Sequence, residues 1–456
     1  MESLIEAQCV GLTEPGHSHK NLQMQSTRAW FLYAVLFLTG TVLAGVPVTR
    51  GEKFFFQDGD RPAVFLGDSI TEQRMYTTYI ETYVLSRYPR WNITFRNIGW
   101  GGDTSWLSRR EGFDAGLKRD ILPLHPVAIT IDFGMNDARG GEATYDKYVT
   151  YSTKLVEQLK SAGARVALLT PSPEEKYEAN QPAGSAYNRL LWKYSLGLQK
   201  IAEQEGVQFV DQQTPFVRVI ETGRQAGVLG SARGSRLIPD GVHPNWAGHL
   251  VMATAILKGL GATAAVSRAT IDARTGQILI ADGCDIEMLP APSGTLAFRR
   301  TDRCLPWFIP VEGRFALQVP GFTPLAELSQ YELCVTNLIA ANYQLTIDDV
   351  EVGVFQQAQL ANGVNLSLQA GPITAQAEKL FTSVISKNEL YQQRWRSVQV
   401  FSLPNWLQGP EAEVLRQKEL ARLDSEITSR EQALNALRQP VPHIFKLRPV
   451  EAAPGK

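Results

Sequence analysis

Between residues 51 and 262, short apolar runs alternate with longer stretches that have helical periodicity. The short runs have the length of buried strands, and the longer stretches have the length of helices. Strands that alternate with helices indicate a parallel sheet covered on both faces, in which sites form at the carboxyl ends of the strands. Strands are predicted over residues 63–66, 93–98, 127–133, 165–169 and 207–210, and helices over 76–88, 145–162, 187–205 and 246–260.

A serine follows the first predicted strand at the point where a helical pattern is about to begin. The apolar run ends in Gly67, Asp68 and Ser69. A sharp strand-to-helix turn would place the Ser69 hydroxyl at the edge of the sheet and beside a helix N-terminus, a suitable position for a nucleophile. On its own, this triplet is more often an ordinary turn.

A serine nucleophile needs a base, and histidine is the usual one. The histidines of this region are His125, His243 and His249. His125 precedes a strand and so lies at the opposite end of the sheet, and His249 lies inside the last helix, where packing is its expected role. His243 lies in a loop before that helix and three residues after Asp240, a spacing at which a carboxylate can orient the imidazole. His243 is therefore the predicted base and Asp240 its orienting acid.

The developing oxyanion needs hydrogen-bond donors. Gly102 offers an unobstructed backbone N–H, Asn136 offers a side-chain amide, and the backbone N–H of Ser69 is the third candidate. Gly102 alone would be interpreted as part of a bend, and Asn136 alone as a helix cap. The hydrolase interpretation depends on all of these groups occurring in order, each after a strand or in the loop before the last helix.

The same residues resemble the sequence blocks of the GDSL-type, or SGNH, hydrolase family over about residues 60–262. The resemblance rests on Gly67-Asp68-Ser69, Gly101-Gly102-Asp103, Gly134-Met135-Asn136-Asp137 and Asp240-Gly241-Val242-His243-Pro244. It implies an α/β fold of flavodoxin-like, three-layer α/β/α type, and ester hydrolysis through an acyl-enzyme without a metal or cofactor. By this match Ser69 is the nucleophile, Asp240 and His243 complete the triad, and Gly102 and Asn136 are oxyanion donors.

The substrate is less closely defined by the sequence. Trp100 and Trp106 flank Gly102, and Trp100 and Asp103 are weaker candidates for substrate binding. No wide apolar lid for long acyl chains is evident, which favours removal of a short acyl group, such as acetyl, from a carbohydrate or other small-molecule ester. A lysophospholipase or thioesterase on the same triad is one alternative, and a non-catalytic glycan-binding or envelope module is another. The arginine-bearing stretch 212–236 is predicted to be a solvated surface loop.

Beyond residue 262 the helical pattern gives way to shorter alternating runs. A β-rich accessory unit is predicted over residues 265–370, with strands at 270–281, 295–299, 314–319, 331–337 and 342–347. A helical hairpin is predicted over 371–440, with helices at 373–398 and 411–437, and an irregular, proline-rich tail over 441–456. The second helix carries a short heptad seam that would pack on the first helix or on another subunit as a homo-oligomer. Residues 386–396 are predicted to form a solvated helix face, with packing across the catalytic mouth as the alternative.

The charge of the chain argues against one class of partner, and its N-terminal pattern indicates a cellular location. The 456 residues have a formal net charge of -1 and no strongly basic stretch in the central region, which argues against a nucleic-acid partner. Residues 1–45 have the pattern of a signal peptide or N-terminal anchor, with an apolar run at 29–44 and Met24 as an alternative start. The predicted location is therefore exported: periplasmic, extracellular or tethered to the membrane. Cys284, Cys304 and Cys334 would be either buried thiols or partly disulfide-bonded, and their spacing does not suggest a metal site.

Overall fold

The computed structural model describes residues 54–176 and 185–451, so the predicted signal or anchor lies outside the described residues. The first half is built on a five-stranded sheet in which all neighbouring strands are parallel and the order is β2-β1-β3-β4-β5. Every position of β1 and β3 is buried, because both faces of the sheet are covered. The strands are β1 (Ala63–Gly67), β2 (Phe95–Asn97), β3 (Ala128–Asp132), β4 (Arg165–Leu169) and β5 (Gln208–Val210).

Helices cover this sheet, and four of the longer ones, α2, α4, α5 and α7, lie where the sequence predicts them. Helix α2 packs against α7, and α4 packs against α5. The predicted α/β architecture with a parallel central sheet is confirmed. The helices are α1 (Ser69–Glu72), α2 (Met75–Arg87), α3 (Phe113–Gly116), α4 (Tyr145–Ser161), α5 (Ala186–Glu205), α6 (Gln213–Gln225) and α7 (Trp246–Gly259), with 3-10 or π turns at Leu117–Ile121, Leu122–Leu124, Asp137–Thr144 and Arg233–Ser235.

Helix α6 corrects the prediction of a loop over residues 212–236. Phe216, Ile220 and Gly223 recur at helical spacing and are buried, and the helix packs against α7. The prediction gave weight to the scattered arginines and overlooked this apolar stripe. One of those arginines, Arg224, is not on a solvated surface, since its guanidinium lies 3.2 Å from the buried carboxylate of Glu175.

The C-terminal third contains a four-stranded sheet of order β13-β10-β6-β7 and a five-stranded antiparallel sheet of order β12-β11-β14-β9-β8. The buried Arg300 joins the two sheets, because it donates to Asp302 on its own strand and to Ser267 and the Glu332 carbonyl of the other sheet. The elements are β6 (Ala265–Asp272), β7 (Ile278–Asp282), β8 (Cys284–Leu289), β9 (Leu296–Asp302), α8 (Pro324–Leu328), β10 (Gln330–Thr336), β11 (Asn342–Ile347), β12 (Val350–Gln356), α9 (Gln357–Asn362), β13 (Val364–Asn365) and β14 (His443–Val450).

Three predictions for this region are wrong. Residues 270–281 form parts of two strands, β6 and β7, because a turn intervenes in which Asp272 accepts hydrogen bonds from the backbone N–H groups of Arg274 and Thr275. Residues 314–319 fall largely within a 3-10 helix, Val311–Gln318, instead of a strand. The tail predicted to be irregular over 441–456 contains β14, which lies between β11 and β9 in the middle of a sheet.

The two C-terminal helices form a hairpin. They are α10 (Pro372–Gln392) and α11 (Pro410–Leu437), separated by a π-helical turn, Gln393–Gln399, and a 3-10 turn, Asn405–Leu407. The seam of α11 packs on α10, so another subunit is not needed to cover it. Its buried residues are Leu420, Leu423, Ile427 and Leu434. Helix α10 in turn packs on α2, and the described chain forms one compact unit across the predicted domain boundaries.

Other sequence expectations concern cysteines and the membrane. Cys284, Cys304 and Cys334 are buried free thiols, which decides against a disulfide among them. Burial raises the pKa of the Cys284 thiol to about 11. Within residues 54–176 and 185–451, no helix is long and apolar enough to cross a membrane. The same part of the chain contains no group of three or more acidic, histidine or cysteine side chains arranged to hold a metal ion.

Candidate active site

Ser69 is the first residue of α1, directly after the turn that ends β1. Asp68 caps this helix, and its carboxylate accepts a hydrogen bond from the Ile70 N–H at 3.0 Å. The turn requires Gly67, because a Cβ at that position would lie 2.1 Å from the Thr71 hydroxyl and 2.7 Å from the Asp132 carbonyl. The local sequence therefore places the Ser69 hydroxyl at the carboxyl edge of the sheet.

His243 and Asp240 lie together in the loop before α7, and the imidazole of His243 reaches the serine. His243 Nε2 is 2.8 Å from Ser69 Oγ, and His243 Nδ1 is 2.8 Å from Asp240 Oδ2. Partial burial disfavours ionisation of Asp240, but hydrogen bonds from the backbone and side chain of His243 and from the Val242 N–H outweigh it. Together they lower the pKa of Asp240 to about 2, so the carboxylate is charged at neutral pH.

Glu175 holds the same loop, and sequence reasoning did not identify it. One carboxylate oxygen of Glu175 accepts the Ile238 N–H at 2.8 Å, and the other lies 3.2 Å from the guanidinium of Arg224. The Glu175 backbone N–H donates to the Gly241 carbonyl at 3.0 Å. Burial raises the pKa of Glu175 despite these contacts. Since Glu175 is far from Asp240 and His243 in sequence, no local motif could have indicated this support.

His249 packs between helices, as predicted from its position inside a helix. It is fully buried, its Nδ1 accepts the Tyr76 N–H at 3.3 Å, and its Nε2 lies 2.8 Å from the Gln73 side-chain oxygen. Burial, followed by the nearby His243, lowers the pKa of His249 to about 3, so this imidazole is neutral. Its contacts hold α7 against the beginning of α2.

Gly102 lies in a loop that is fastened to the β1–α1 turn. The Trp100 N–H donates to the Gly67 carbonyl at 3.0 Å, and the Gly101 N–H donates to Glu72 Oε2 at 2.8 Å. Gly102 itself has φ +75°, which favours glycine. Among the described residues, the backbone N–H groups of Gly102 and Ser69 have no hydrogen-bond acceptor. Both donors are therefore free to receive an oxyanion.

Asn136 lies beside the same turn, but its amide is already engaged. Its Nδ2 donates to the Asp103 carbonyl at 3.0 Å and to Asp68 Oδ2 at 3.2 Å. Asp137, the next residue, fixes the loop by accepting the Gly134 N–H and the Ser105 N–H. An oxyanion that reached Asn136 would have to take over one of the two existing hydrogen bonds, and the longer one goes to Asp68.

Asp103 is not available to a substrate, contrary to its prediction as a binding residue. Its side chain is fully buried, and it forms an ion pair at 2.7 Å with the equally buried Arg110. It also accepts the Arg109 N–H at 3.1 Å. The sequence placed Asp103 correctly beside the glycine loop, but it gave no sign of the arginine that turns the carboxylate inward.

Trp100 is also partly covered, and the side chains that cover it come from the segment 386–396, which was predicted to be a solvated helix face. The Arg396 guanidinium lies 3.8 Å from the Trp100 ring centre, and the Trp395 ring meets it edge-on at 5.7 Å. Arg396 also lies 3.4 Å from Glu72 Oε1. The segment predicted to be a solvated helix face therefore packs beside the catalytic turn. Trp106, on the other side of Gly102, has the Lys147 ammonium 4.1 Å from its ring centre.

Residues 65–251 match the model of the GDSL-like lipase/acylhydrolase family. This stretch, which is less than half of the chain, is similar to that family. An acetylxylan esterase from Geobacillus stearothermophilus is 26% identical to the GDSL-like chain over 222 residues, which are 43% of this chain and 93% of the relative. The family and this relative identify the protein as a carboxylic ester hydrolase that cleaves acyl esters.

A solved structure shows how much of the fold occurs elsewhere. A gut microbial diltiazem-metabolizing enzyme matches the GDSL-like chain with a TM-score of 0.74 at 23% sequence identity. The match covers 87% of this chain and 98% of the other. It therefore extends well beyond residues 65–251, and the C-terminal region is part of the shared fold.

Proposed function

We propose that the protein hydrolyses short acyl esters of carbohydrates through a triad of Ser69, His243 and Asp240. The observation that carries the proposal is the continuous pair of 2.8 Å contacts from Ser69 Oγ to His243 Nε2 and from His243 Nδ1 to Asp240 Oδ2. This arrangement joins a nucleophile, a base and an orienting acid within hydrogen-bond distance.

The contacts support a role for each group. Asp240 accepts a hydrogen bond from the Nδ1–H of His243, which leaves Nε2 unprotonated and able to take the proton of Ser69. The Ser69 oxygen then attacks the ester carbonyl, and the N–H groups of Gly102 and Ser69, with Asn136, hold the oxyanion. His243 gives its proton to the leaving alkoxide, and it next activates the water that releases the acyl group.

Two observations support a carbohydrate substrate. The side chains of His243 and Asp240 are 33% and 51% exposed, so the triad lies at an open surface that can admit the bulky alcohol part of a glycan ester. The curated relative that aligns with 222 residues of this chain is an acetylxylan esterase. A short acyl group with a large alcohol part fits both observations.

The esterase activity of Ser69→Ala tests the triad, and a series of esters with increasingly long acyl chains tests the substrate class. We expect Ser69→Ala to lose activity on p-nitrophenyl acetate, and the wild type to lose activity steeply from acetate to butyrate to octanoate. Acetylated xylo-oligosaccharides should be deacetylated. A preference for octanoate or for acyl thioesters would favour the lysophospholipase or thioesterase alternative, and glycan binding without turnover would favour the non-catalytic module.

We further propose that the enzyme acts outside the cytoplasm, because residues 1–45 have the pattern of an export signal or anchor. Its partner would then be an ester substrate of the cell surface or surroundings. N-terminal sequencing of the protein isolated from fractionated cells tests this. A protein that begins near Gly45 and lies in an extracytoplasmic fraction would support export, and an intact N-terminus in the cytoplasmic fraction would contradict it.

A further inference from the structure

We propose that Arg396, in the C-terminal extension, is a positioning residue for the oxyanion loop and acts through Glu72. The inference rests on the proposed function, in which Gly102 donates to the oxyanion. Arg396 lies more than a hundred residues beyond the stretch that matches the family model. The catalytic machinery would thus depend on a part of the chain outside its family domain.

The Glu72 carboxylate is shared between two partners. Glu72 Oε2 accepts the Gly101 N–H at 2.8 Å, and Glu72 Oε1 lies 3.4 Å from Arg396 Nη1. Gly101 directly precedes Gly102, so the orientation of this carboxylate fixes where the Gly102 N–H points. Among the described residues, Arg396 Nη1 makes no hydrogen bond, so it acts on the carboxylate through charge, which favours the orientation in which Oε1 faces the guanidinium and Oε2 faces Gly101.

Arg396 is itself held in place by the Trp100 ring. Its guanidinium lies 3.8 Å from the centre of the Trp100 ring, a stacking distance. Trp100 in turn donates its backbone N–H to the Gly67 carbonyl, two residues before the nucleophile. Stacking on Trp100 therefore fixes the guanidinium beside Glu72, and the effect of Arg396 on Gly101 passes through that carboxylate.

The charge of Arg396 also balances the charge of Glu72. An unpaired carboxylate at Glu72 would oppose the negative charge that develops on the carbonyl oxygen near Gly102. Arg396 supplies the compensating positive charge, and the two side chains are only 27% and 28% exposed, so solvent screens them incompletely. Glu72 can thus hold the loop without a large electrostatic cost to the transition state.

The test compares Arg396→Ala and Arg396→Lys with Arg394→Ala. Arg394 lies on the same π-helical turn and pairs with Asp424 of α11, away from Glu72. We expect Arg396→Ala to lower kcat on p-nitrophenyl acetate about ten-fold with KM within two-fold, a fraction of the loss of a whole oxyanion donor. Arg396→Lys should recover part of the loss, since it keeps the charge but not the stacking geometry. Arg394→Ala should retain wild-type kcat.

A double-mutant cycle separates positioning through Glu72 from general destabilisation. Glu72→Ala should lower kcat, and adding Arg396→Ala to it should change kcat less than two-fold further. Wild-type kcat in Arg396→Ala, an equal loss in Arg394→Ala, or multiplying losses in the double variant would each overturn the inference. If circular dichroism shows that Arg396→Ala does not fold, Arg396→Gln takes its place in the same comparison.

Ser69→Ala is measured in parallel. Full activity of Ser69→Ala would overturn the proposed function itself. An inactive Ser69→Ala together with wild-type kcat in Arg396→Ala would overturn this inference alone.

Discussion

Asp240 has the clearest electrostatic role among the residues of the site. Its pKa of about 2 means that it stays ionised through the working range of an esterase, and its charge faces the imidazole of His243. We predict that Asp240→Asn lowers kcat about 10⁴-fold, because the neutral amide neither fixes the imidazole tautomer nor stabilises the imidazolium. Steady-state kinetics on p-nitrophenyl acetate measure this. A loss of less than ten-fold would mean that Asp240 does not orient the base.

Asp132, at the end of β3, makes stability depend on pH. Burial raises the pKa of Asp132 to about 7, although a hydrogen bond from the Gln212 amide opposes the rise. Between pH 4 and 7 the folded state therefore binds more protons than the unfolded state, and stability falls as pH rises. In Asp132→Asn we expect this slope to become shallower by about 1.4 kcal/mol per pH unit. Urea unfolding at several pH values tests it, and parallel curves for the two proteins would contradict it.

Single residues show which parts of the site a sequence can reveal. Ser69, Asp240 and His243 were identified from short local patterns, and their side chains are in contact in the structure. The contact between Glu72 and Arg396 was missed because the two residues lie far apart in the chain. Asp103 was misassigned for a different reason: Arg110 lies only seven residues away, but nothing in the local sequence shows that the two side chains pair in the interior.

At the scale of elements, the parallel sheet was predictable and the C-terminal strands were less so. Strands of the parallel sheet are buried on both faces and appear as continuous apolar runs. Strand β14 alternates buried and more exposed residues, but Pro440 and Pro442 just before it and Pro449 near its end hid that alternation. Its partners β11 and β9 lie about a hundred residues earlier or more, so only the folded chain shows that it completes a sheet.

The position of β14 leads to a stability prediction. Phe445 is fully buried and stacks on Phe298 of β9 with ring centres 5.1 Å apart. Phe445→Ala should lower the free energy of unfolding by about 3–5 kcal/mol, because it leaves a cavity between two strands. Lys446 is the next residue, and its partner Asp349 is exposed. Lys446→Ala should therefore lower the free energy of unfolding by less than about 1 kcal/mol. Denaturant midpoints measure both, and equal losses would indicate that β14 is not part of the core.

At the scale of the whole molecule, the C-terminal helices are joined to the catalytic layer by buried charge. Lys387 of α10 lies 2.7 Å from Glu81 of α2, and their side chains are 0% and 3% exposed. Asn388 also donates to Glu81 at 3.0 Å. A buried ion pair fixes the way in which two elements meet, and the loss of one partner leaves an uncompensated charge. The hairpin and the family domain therefore depend on each other.

We predict that Lys387→Ala lowers the free energy of unfolding by about 3–5 kcal/mol, because Glu81 would remain buried without its cation. Lys379→Ala, at an exposed position of the same helix, is the matched control and should change stability by less than about 0.5 kcal/mol. The double variant Lys387→Met with Glu81→Leu should recover much of the loss. Chemical denaturation checks all three, and an unchanged midpoint in Lys387→Ala would show that the pair does not secure the hairpin.

The most direct test of the whole account is the intact mass of the purified protein after reaction with a fluorophosphonate, with Ser69→Ala alongside. The probe reacts with an activated serine whatever the natural substrate is. We predict one adduct on the wild type, none on Ser69→Ala, and a strongly slowed reaction for His243→Ala, since the 2.8 Å contact between Ser69 and His243 activates the hydroxyl. No adduct on the folded wild type, or an adduct that persists in Ser69→Ala, would contradict the assignment of Ser69 as the nucleophile.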